Sequence, residues 1–217
     1  MGETAVINPE KIYLCDSGSQ FLDGTTDTTR TIHFGTPTAD QIRQYTLVLK
    51  GNVSLATLKF PENTTGATID SIARQHLWAE FLDYGHGTAH GIGAYLNVHE
   101  GPIGIGPRPN AAAAVLEPGN LLSNEPGYYE AGEYGIRIEN VMFVKKTGRS
   151  YNGKEFLEFE TVTKVPFCRK LIDSSLLSKK EIEWINQYHL KVREDILPTL
   201  ESGSVEAQWL KRETAPF

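Results

Sequence analysis

Hydrophobic and polar positions change period several times along this chain, and each change predicts a different element. Lys11-Ile12-Tyr13-Leu14-Cys15 is a short, mostly apolar run that predicts a strand buried on both faces, and Asp16-Ser17-Gly18-Ser19 after it is rich in turn formers. From 21 to 34, threonines alternate with polar and apolar residues, which suits a long hairpin arm. The period then lengthens to that of a helix. Thr38-Ala39-Asp40-Gln41 is a capping-box pattern ahead of Ile42, Tyr45, Leu47, Val48 and Leu49. Ile69, Ile72, Ala73, Leu77 and Trp78 form a second helical stripe that Thr68 or Asp70 can cap. The stretch 85–135, rich in Gly, Pro and His, predicts short strands joined by structured loops, and strands resume over 134–145 and 156–165. A last helix opens at a second capping box, Ser178-Lys179-Lys180-Glu181, and runs to about Leu197 before Pro198. No repeat, low-complexity segment or linker interrupts this order. The expectation is a single domain over 1–217, with a core at about 9–170 and a helical extension over 171–217.

Composition narrows the class. With 217 residues, 40% apolar and 22% charged, the chain can bury a sizeable core as an ordinary globular protein. A net charge of -6 argues against a nucleic-acid partner bound through a broad basic surface. No apolar run is long enough to span a bilayer, and the opening Met1-Gly2-Glu3-Thr4 carries no signal-peptide pattern. Two distant cysteines, Cys15 and Cys168, do not make a disulfide scaffold, so a reducing, cytoplasmic setting is expected. In such a setting the acceptor patterns at Asn52-Val53-Ser54 and Asn63-Thr64-Thr65 are accidental.

The candidate chemistry lies in five short runs. Asp16, Asp23 and Asp27 fall in one predicted hairpin. His86-Gly87-Thr88-Ala89-His90-Gly91 and Asn97-Val98-His99-Glu100 place three of the six histidines within fourteen residues, in a glycine-rich segment whose packing does not call for them. Asn124-Glu125-Pro126-Gly127 and Arg137-Ile138-Glu139-Asn140 set carboxylates among apolar or rigid neighbours, where an ionised group is costly unless paired or bound to metal. Carboxylates with an imidazole suit Mn²⁺, Co²⁺ or Zn²⁺, and the lack of thiolates argues against a structural zinc knot. Two divalent ions sharing bridging carboxylates can generate a hydroxide nucleophile and polarise a carbonyl. The residues alone therefore point to a carboxylate-rich metallohydrolase.

The same runs resemble the catalytic domain of Xaa-Pro aminopeptidases, also called aminopeptidase P, and most closely its long eukaryotic members. The resemblance is carried by Tyr13-Leu14-Cys15-Asp16-Ser17-Gly18, by Asp23-Gly24-Thr25-Thr26-Asp27-Thr28-Thr29-Arg30-Thr31 and by His86-Gly87-Thr88-Ala89-His90-Gly91-Ile92-Gly93. Leu96-Asn97-Val98-His99-Glu100-Gly101-Pro102, Glu125-Pro126-Gly127-Tyr128-Tyr129 and Tyr134-Gly135-Ile136-Arg137-Ile138-Glu139-Asn140 complete it in the same order. It implies the pita-bread α/β (α+β) fold and hydrolysis of the N-terminal bond before proline by a dinuclear metal site, with Mn²⁺ the expected metal and Co²⁺ or Zn²⁺ alternatives. Carried over by position, the metal ligands are Asp16, Asp27, His90, Glu125 and Glu139. Asp27 and Glu139 would bridge both ions, Asp16 would hold one, and His90 with Glu125 the other. His99 is implied in proton transfer and substrate contact, and His86 lies beside the pocket for proline. Arg137 supports the carboxylates, and Asp23 is a turn residue. The resemblance further implies peptide substrates with proline second, no nucleic-acid or membrane partner, and a homodimer.

Two departures stand out. Ala89 replaces the glycine usual between the two histidines; its methyl group costs about 1 kcal/mol if that backbone needs a positive φ and nothing if it is extended, the expected case. The family's two helices and first strand before Asp16 have no counterpart here, so the chain is expected to be the C-terminal part of a longer protein. Each large side chain left uncovered forgoes about 1.5–3 kcal/mol of burial, which matters against a total of about 5–15 kcal/mol. Weak or absent activity of this piece alone is the expectation. Alternative readings are a prolidase-like dipeptidase, a methionine aminopeptidase, or a non-catalytic pita-bread module that binds peptides or histones. Remaining features read as structure: Trp78, Trp184 and Tyr128-Tyr129 as packing or site lining, Lys179-Lys180 as a solvated helix start, and Cys15 as a strand residue.

Overall fold

The computed structural model describes residues 6–95, 97–108 and 112–217; the opening Met1-Gly2-Glu3-Thr4 and Leu96 of the Asn97-Val98-His99 run lie outside them. The expected hairpin is present and longer than the apolar pattern implied. Strands β1 (Ile12–Phe21) and β2 (Gly24–His33) pair antiparallel without a break, from Ile12 opposite His33 to Phe21 opposite Gly24. Asp16-Ser17-Gly18-Ser19 is therefore mid-strand, not a turn. The Thr-rich β2 supplies ladder partners throughout, and the reversal falls at Leu22 and Asp23, which has the turn role expected of it. Nor is β1 buried on both faces: residues 12–15 are half-buried and the rest exposed.

Helix α1 (Ala39–Ala56) begins at the expected capping box, with Thr38 and Gln41 bonding each other's backbone. Helix α2 (Gly66–Trp78) starts at Thr65, earlier than Thr68 or Asp70. The chain can turn helical there because Gly66 has no side chain, and a Cβ would sit 1.7 Å from the Gly104 carbonyl oxygen. Asp70 instead points inward to Arg74 and Thr88. Of the expected stripe, Trp78 is not core; it is 47% exposed.

A strand the pattern did not mark, β3 (Lys59–Pro61), lies between the two helices, and short strands fill 85–135 as anticipated: β4 (Ala89–His90), β5 (Gly104–Ile105), β6 (Leu121–Asn124) and β7 (Gly127–Glu130). The strand expected over 134–145 divides into β8 (Tyr134–Arg137), which pairs with β7, and β9 (Asn140–Tyr151), which pairs with β6 and β10 (Lys154–Thr161). The chain changes sheets at Ile138-Glu139, where the Glu139 N–H donates to the Thr29 carbonyl of β2. Strands β3-β10-β9-β6 form one antiparallel sheet, with α1 and α2 contributing to the apolar cluster on it that includes Leu55, Ile69, Leu122, Met142 and Leu157.

Helix α3 (Lys179–Ile196) opens at the Ser178–Glu181 capping box as expected. It is not the last: after a 3-10 turn at Leu197–Thr199 the chain adds α4 (Val205–Glu213), capped by Ser204. Only Ala207 and Leu210 of α4 are buried, too sparse a stripe to register in the sequence pattern. Phe167, Leu171, Ile185, Tyr188 and Val192 share one core cluster with Tyr45, Val48 and Leu49 of α1.

His189 of α3 is fully buried; its Nε2 accepts the Phe167 N–H at 3.1 Å while Nδ1 is unpartnered. Burial, reinforced by the charges of Arg169 and Arg30, pushes its pKa down to about 3. An unfolded imidazole titrates near about 6.5, so this neutral histidine's contribution to stability is complete above that pH and is lost as pH falls toward 3. Each pH unit in that window costs about 1.4 kcal/mol for one such group. His189→Gln should flatten the decline in urea midpoint between those limits, and a slope matching the parent's would refute the assignment.

Candidate metal centre

The hairpin register sets the first part of the site. Asp27, Thr29 and Thr31 alternate onto one face of β2, and Asp16 on β1 lies opposite Thr29. β4 ends in His90, Glu125 follows β6, and Glu139 occupies the crossing between β8 and β9. Four of the five expected ligands converge: His90 Nε2 lies 3.2 Å from Asp27 Oδ2, 3.5 Å from Glu125 Oε1 and 4.0 Å from Glu139 Oε1. Asp27, His90 and Glu139 offer atoms all within 4.8 Å of one another. Asp16 stands apart at the mouth, half-exposed and held by Arg137 Nη2 at 2.6 Å.

Backbone partners orient these groups. His90 Nδ1 lies 2.9 Å from the Gly91 carbonyl, which can only accept, so Nδ1 carries a proton and Nε2 is the nitrogen turned toward the carboxylates, the one whose lone pair would be offered to a metal on losing its proton. Ser123 Oγ accepts the His90 N–H at 3.0 Å and donates to Glu125 Oε1 at 3.3 Å. Thr29 Oγ1 donates to Glu139 Oε2 at 2.7 Å. Asn52 Nδ2 on α1 donates to the carbonyls of Asn124 and Ile138, the residues preceding the two glutamates. That buried Asn52 is no glycosylation acceptor in the folded chain. Ala89 is not among the described residues with positive φ and lies in β4, so its methyl group is unstrained, as expected.

The electrostatics favour cations. Burial, then the Asp27 charge, pushes the Glu139 carboxyl up to about 8, although Thr29 partly offsets this. Burial likewise pushes Glu125 up to about 7, against the favourable charges of His90 and Arg137. Burial disfavours charged His90, but the Asp27 hydrogen bond, the Gly91 carbonyl and the Glu125 charge outweigh it and raise its pKa. Buried carboxylates this close repel one another unless protonated or neutralised, and divalent ions neutralise them. The donor set, hard oxygens with one imidazole, fits Mn²⁺, Co²⁺ or Zn²⁺.

A second chain of contacts runs along the rim. Arg137 reaches Asp16, Thr29 Oγ1 at 3.2 Å and Tyr129 Oη at 2.8 Å. His86 Nδ1 donates to the Gly87 carbonyl, which leaves Nε2 to accept from Tyr129 at 2.8 Å. Burial lowers the His86 pKa, which favours the neutral ring. Tyr129 thus lines the site, whereas Tyr128 is core. His99 is exposed, and its ring stands edge-on to His90 with centroids 4.0 Å apart. Sequence reasoning missed Thr29, Ser123 and Asn52. Only Thr29 left a signal, two places beyond Asp27 on the same strand face.

Carboxylates meeting an imidazole on a mixed helix–sheet scaffold make a candidate site for divalent metal. The chain belongs to metallopeptidase family M24, whose model matches residues 2–146, while a model of the C-terminal region of peptidase M24 matches 155–217. A probable Xaa-Pro aminopeptidase P of Fusarium vanettenii is 59% identical over 99% of this chain and 35% of its own length. The crystal structure of X-prolyl aminopeptidase from Caenorhabditis elegans, a cytosolic enzyme with a di-nuclear active site, superposes with a TM-score of 0.90 at 42% identity, over 96% of this chain and 34% of that one. An Xaa-Pro dipeptidase from Bacillus anthracis superposes with a TM-score of 0.53 at 32% identity, over 66% and 36%. The pita-bread fold implied by the motifs is the fold of these neighbours. The chain spans about a third of the length of the curated relatives it matches.

Proposed function

We infer that this chain is the metal-binding part of an Xaa-Pro aminopeptidase, which removes an N-terminal residue preceding proline. The observation that carries the reading is the convergence of Asp27, Glu125 and Glu139 oxygens on His90 Nε2. Asp27 and Glu139, the most buried carboxylates of the group, would bridge the ions. His90 and Glu125 would complete one position and Asp16 the other, with Mn²⁺ preferred. Bound ions supply an activated water and a Lewis acid for the scissile carbonyl.

The chain's own residues do the rest. His99, exposed beside His90, moves the proton at the scissile bond and contacts substrate. His86 borders a cavity of about 260 Å³ lined also by Ala89, Ile105, Pro107 and Arg108, which has room for a proline ring. Arg137 ties Asp16 to the rim. The chain is read as one catalytic-domain piece, with a core at about 9–170 and an extension over 171–217. The whole enzyme is read as cytoplasmic and homodimeric. Among the described residues, no helix is long and apolar enough to cross a membrane.

The metal half of this reading is tested on the chain itself. Mn²⁺ at about a hundred times its dissociation constant stabilises by about 2.7 kcal/mol, which at this size raises Tm by about 5–10 °C over chelator-treated protein. Mass-spectrometric metal content should approach two ions per chain; a folded chain that binds none would refute the site. The substrate half is tested on a polypeptide carrying this sequence at its relatives' length. Cleavage of Xaa-Pro-Yaa in preference to Xaa-Pro supports the aminopeptidase, and the reverse preference a dipeptidase.

A further inference from the structure

We propose that Arg30, oriented by Tyr188 of α3, is a positioning residue for the metal centre, so that the C-terminal region sets where Glu139 points. This rests on the metal reading above. Arg30 is 7% exposed and lies on the face of β2 opposite Asp27 and Thr29. Its Nη1 donates to the carbonyls of Thr29 at 2.8 Å and Glu139 at 2.5 Å. Those two residues also bond through their side chains and through the Glu139 N–H. One nitrogen therefore clamps the point where the chain crosses from β8 to β9, and with it the direction in which the Glu139 side chain leaves the backbone.

The rest of the guanidinium faces the C-terminal region. Nε donates to the Pro166 carbonyl at 3.2 Å; the two N–H groups of Nη2 are shared among Asn140 Oδ1 at 2.6 Å, the Val165 carbonyl at 2.7 Å and Tyr188 Oη at 3.0 Å. These acceptors are neutral oxygens, an uncommon setting for a buried cation, so geometry and not a salt bridge holds it. Tyr188 in turn donates to the Val165 carbonyl at 2.7 Å and is stacked on Trp184 at 5.5 Å and on Phe167 at 4.8 Å. Arg30 lies 5.0 Å from the centre of the Phe167 ring. The planar fork spans both sides only as arginine, because a lysine ammonium cannot reach the Glu139 and Pro166 carbonyls together.

The test is Mn²⁺ affinity of the 217-residue chain, measured by chelator competition, alongside Tm in chelator. Groups that orient ligands from behind typically change metal affinity by about 10–100-fold when altered. Arg30→Lys should weaken binding toward the upper end of that range, and Tyr188→Phe by about tenfold. Ile185→Val, on the same helix and in the same core but without a bond to Arg30, should lower Tm and leave affinity unchanged. If Arg30→Lys does not fold, Tyr188→Phe decides. Parent-like affinity in folded Tyr188→Phe, or a loss in Ile185→Val matching its loss of Tm, overturns the proposal. A parent chain that binds no metal instead overturns the functional reading, and this one with it.

Discussion

Asp27→Ala should abolish stable metal binding and lower Xaa-Pro hydrolysis by about a thousandfold or more. Metal activation of water and carbonyl is worth several kcal/mol, and about 1.4 kcal/mol corresponds to each tenfold in rate. Asp27 is 5% exposed, closest of the carboxylates to His90 Nε2, and proposed as a ligand to both ions, a role in which no neighbour would substitute for it. The loss is specific to the loaded state. Without metal, the Asp27 charge works against Glu139 and Glu125, whose pKa values it helps to raise. Asp27→Asn should therefore melt in chelator at or above the parent temperature while losing the Mn²⁺-dependent rise. Metal content and paired melts on the chain, with turnover measured at the relatives' length, test this. Retained metal-dependent stabilisation would remove Asp27 from the ligand set.

The second large effect is structural. Arg74→Met should destabilise the chain by about 3–5 kcal/mol, because it strands a buried partner carboxylate. Arg74 is 1% exposed and its Nε meets Asp70 Oδ2 at 2.7 Å. Its other nitrogens hold the Tyr84 and His86 carbonyls at 2.7 Å, and the guanidinium lies 3.8 Å from the centre of the Tyr84 ring. Asp70 also accepts from Thr88, whose carbonyl accepts the Glu125 N–H. One ion pair on α2 thus braces the loop carrying His86 and His90. Melting in chelator isolates the effect from metal loss, and at this size the drop is about 6–20 °C. Asp70→Leu with Arg74→Met should recover part of it, since replacing both charges removes the stranded one. A single variant that melts with the parent would show the pair to be dispensable.

What could be read in advance followed from local chemistry. Both complete capping boxes, at Thr38 and Ser178, were exact in place because a cap depends on four adjacent residues. Glu125 and Glu139 stood out because an ionised group among apolar or rigid neighbours needs a partner, and the histidines because they cluster in a glycine-rich segment; Asp27 entered the ligand set through the family resemblance. Where competing local signals met, the reading slipped. Asp16-Ser17-Gly18-Ser19 has turn chemistry but a strand partner at every position, and Asp70 looks like a cap but pairs with Arg74.

Residue types and their order along the chain carried the family, the donor set and the starts of α1 and α3, since each depends on neighbours a few positions away. Tertiary structure alone decided that the strand breaks at Glu139, that Asn52 and Arg30 grip carbonyls beside the ligands, and that Asp16 rests on Arg137 while the other four groups converge. These depend on contacts across some 70 to 120 positions of chain, and such pairings leave no periodicity to read. They arise only when the sheets close and each buried polar group must find the partner that burial demands.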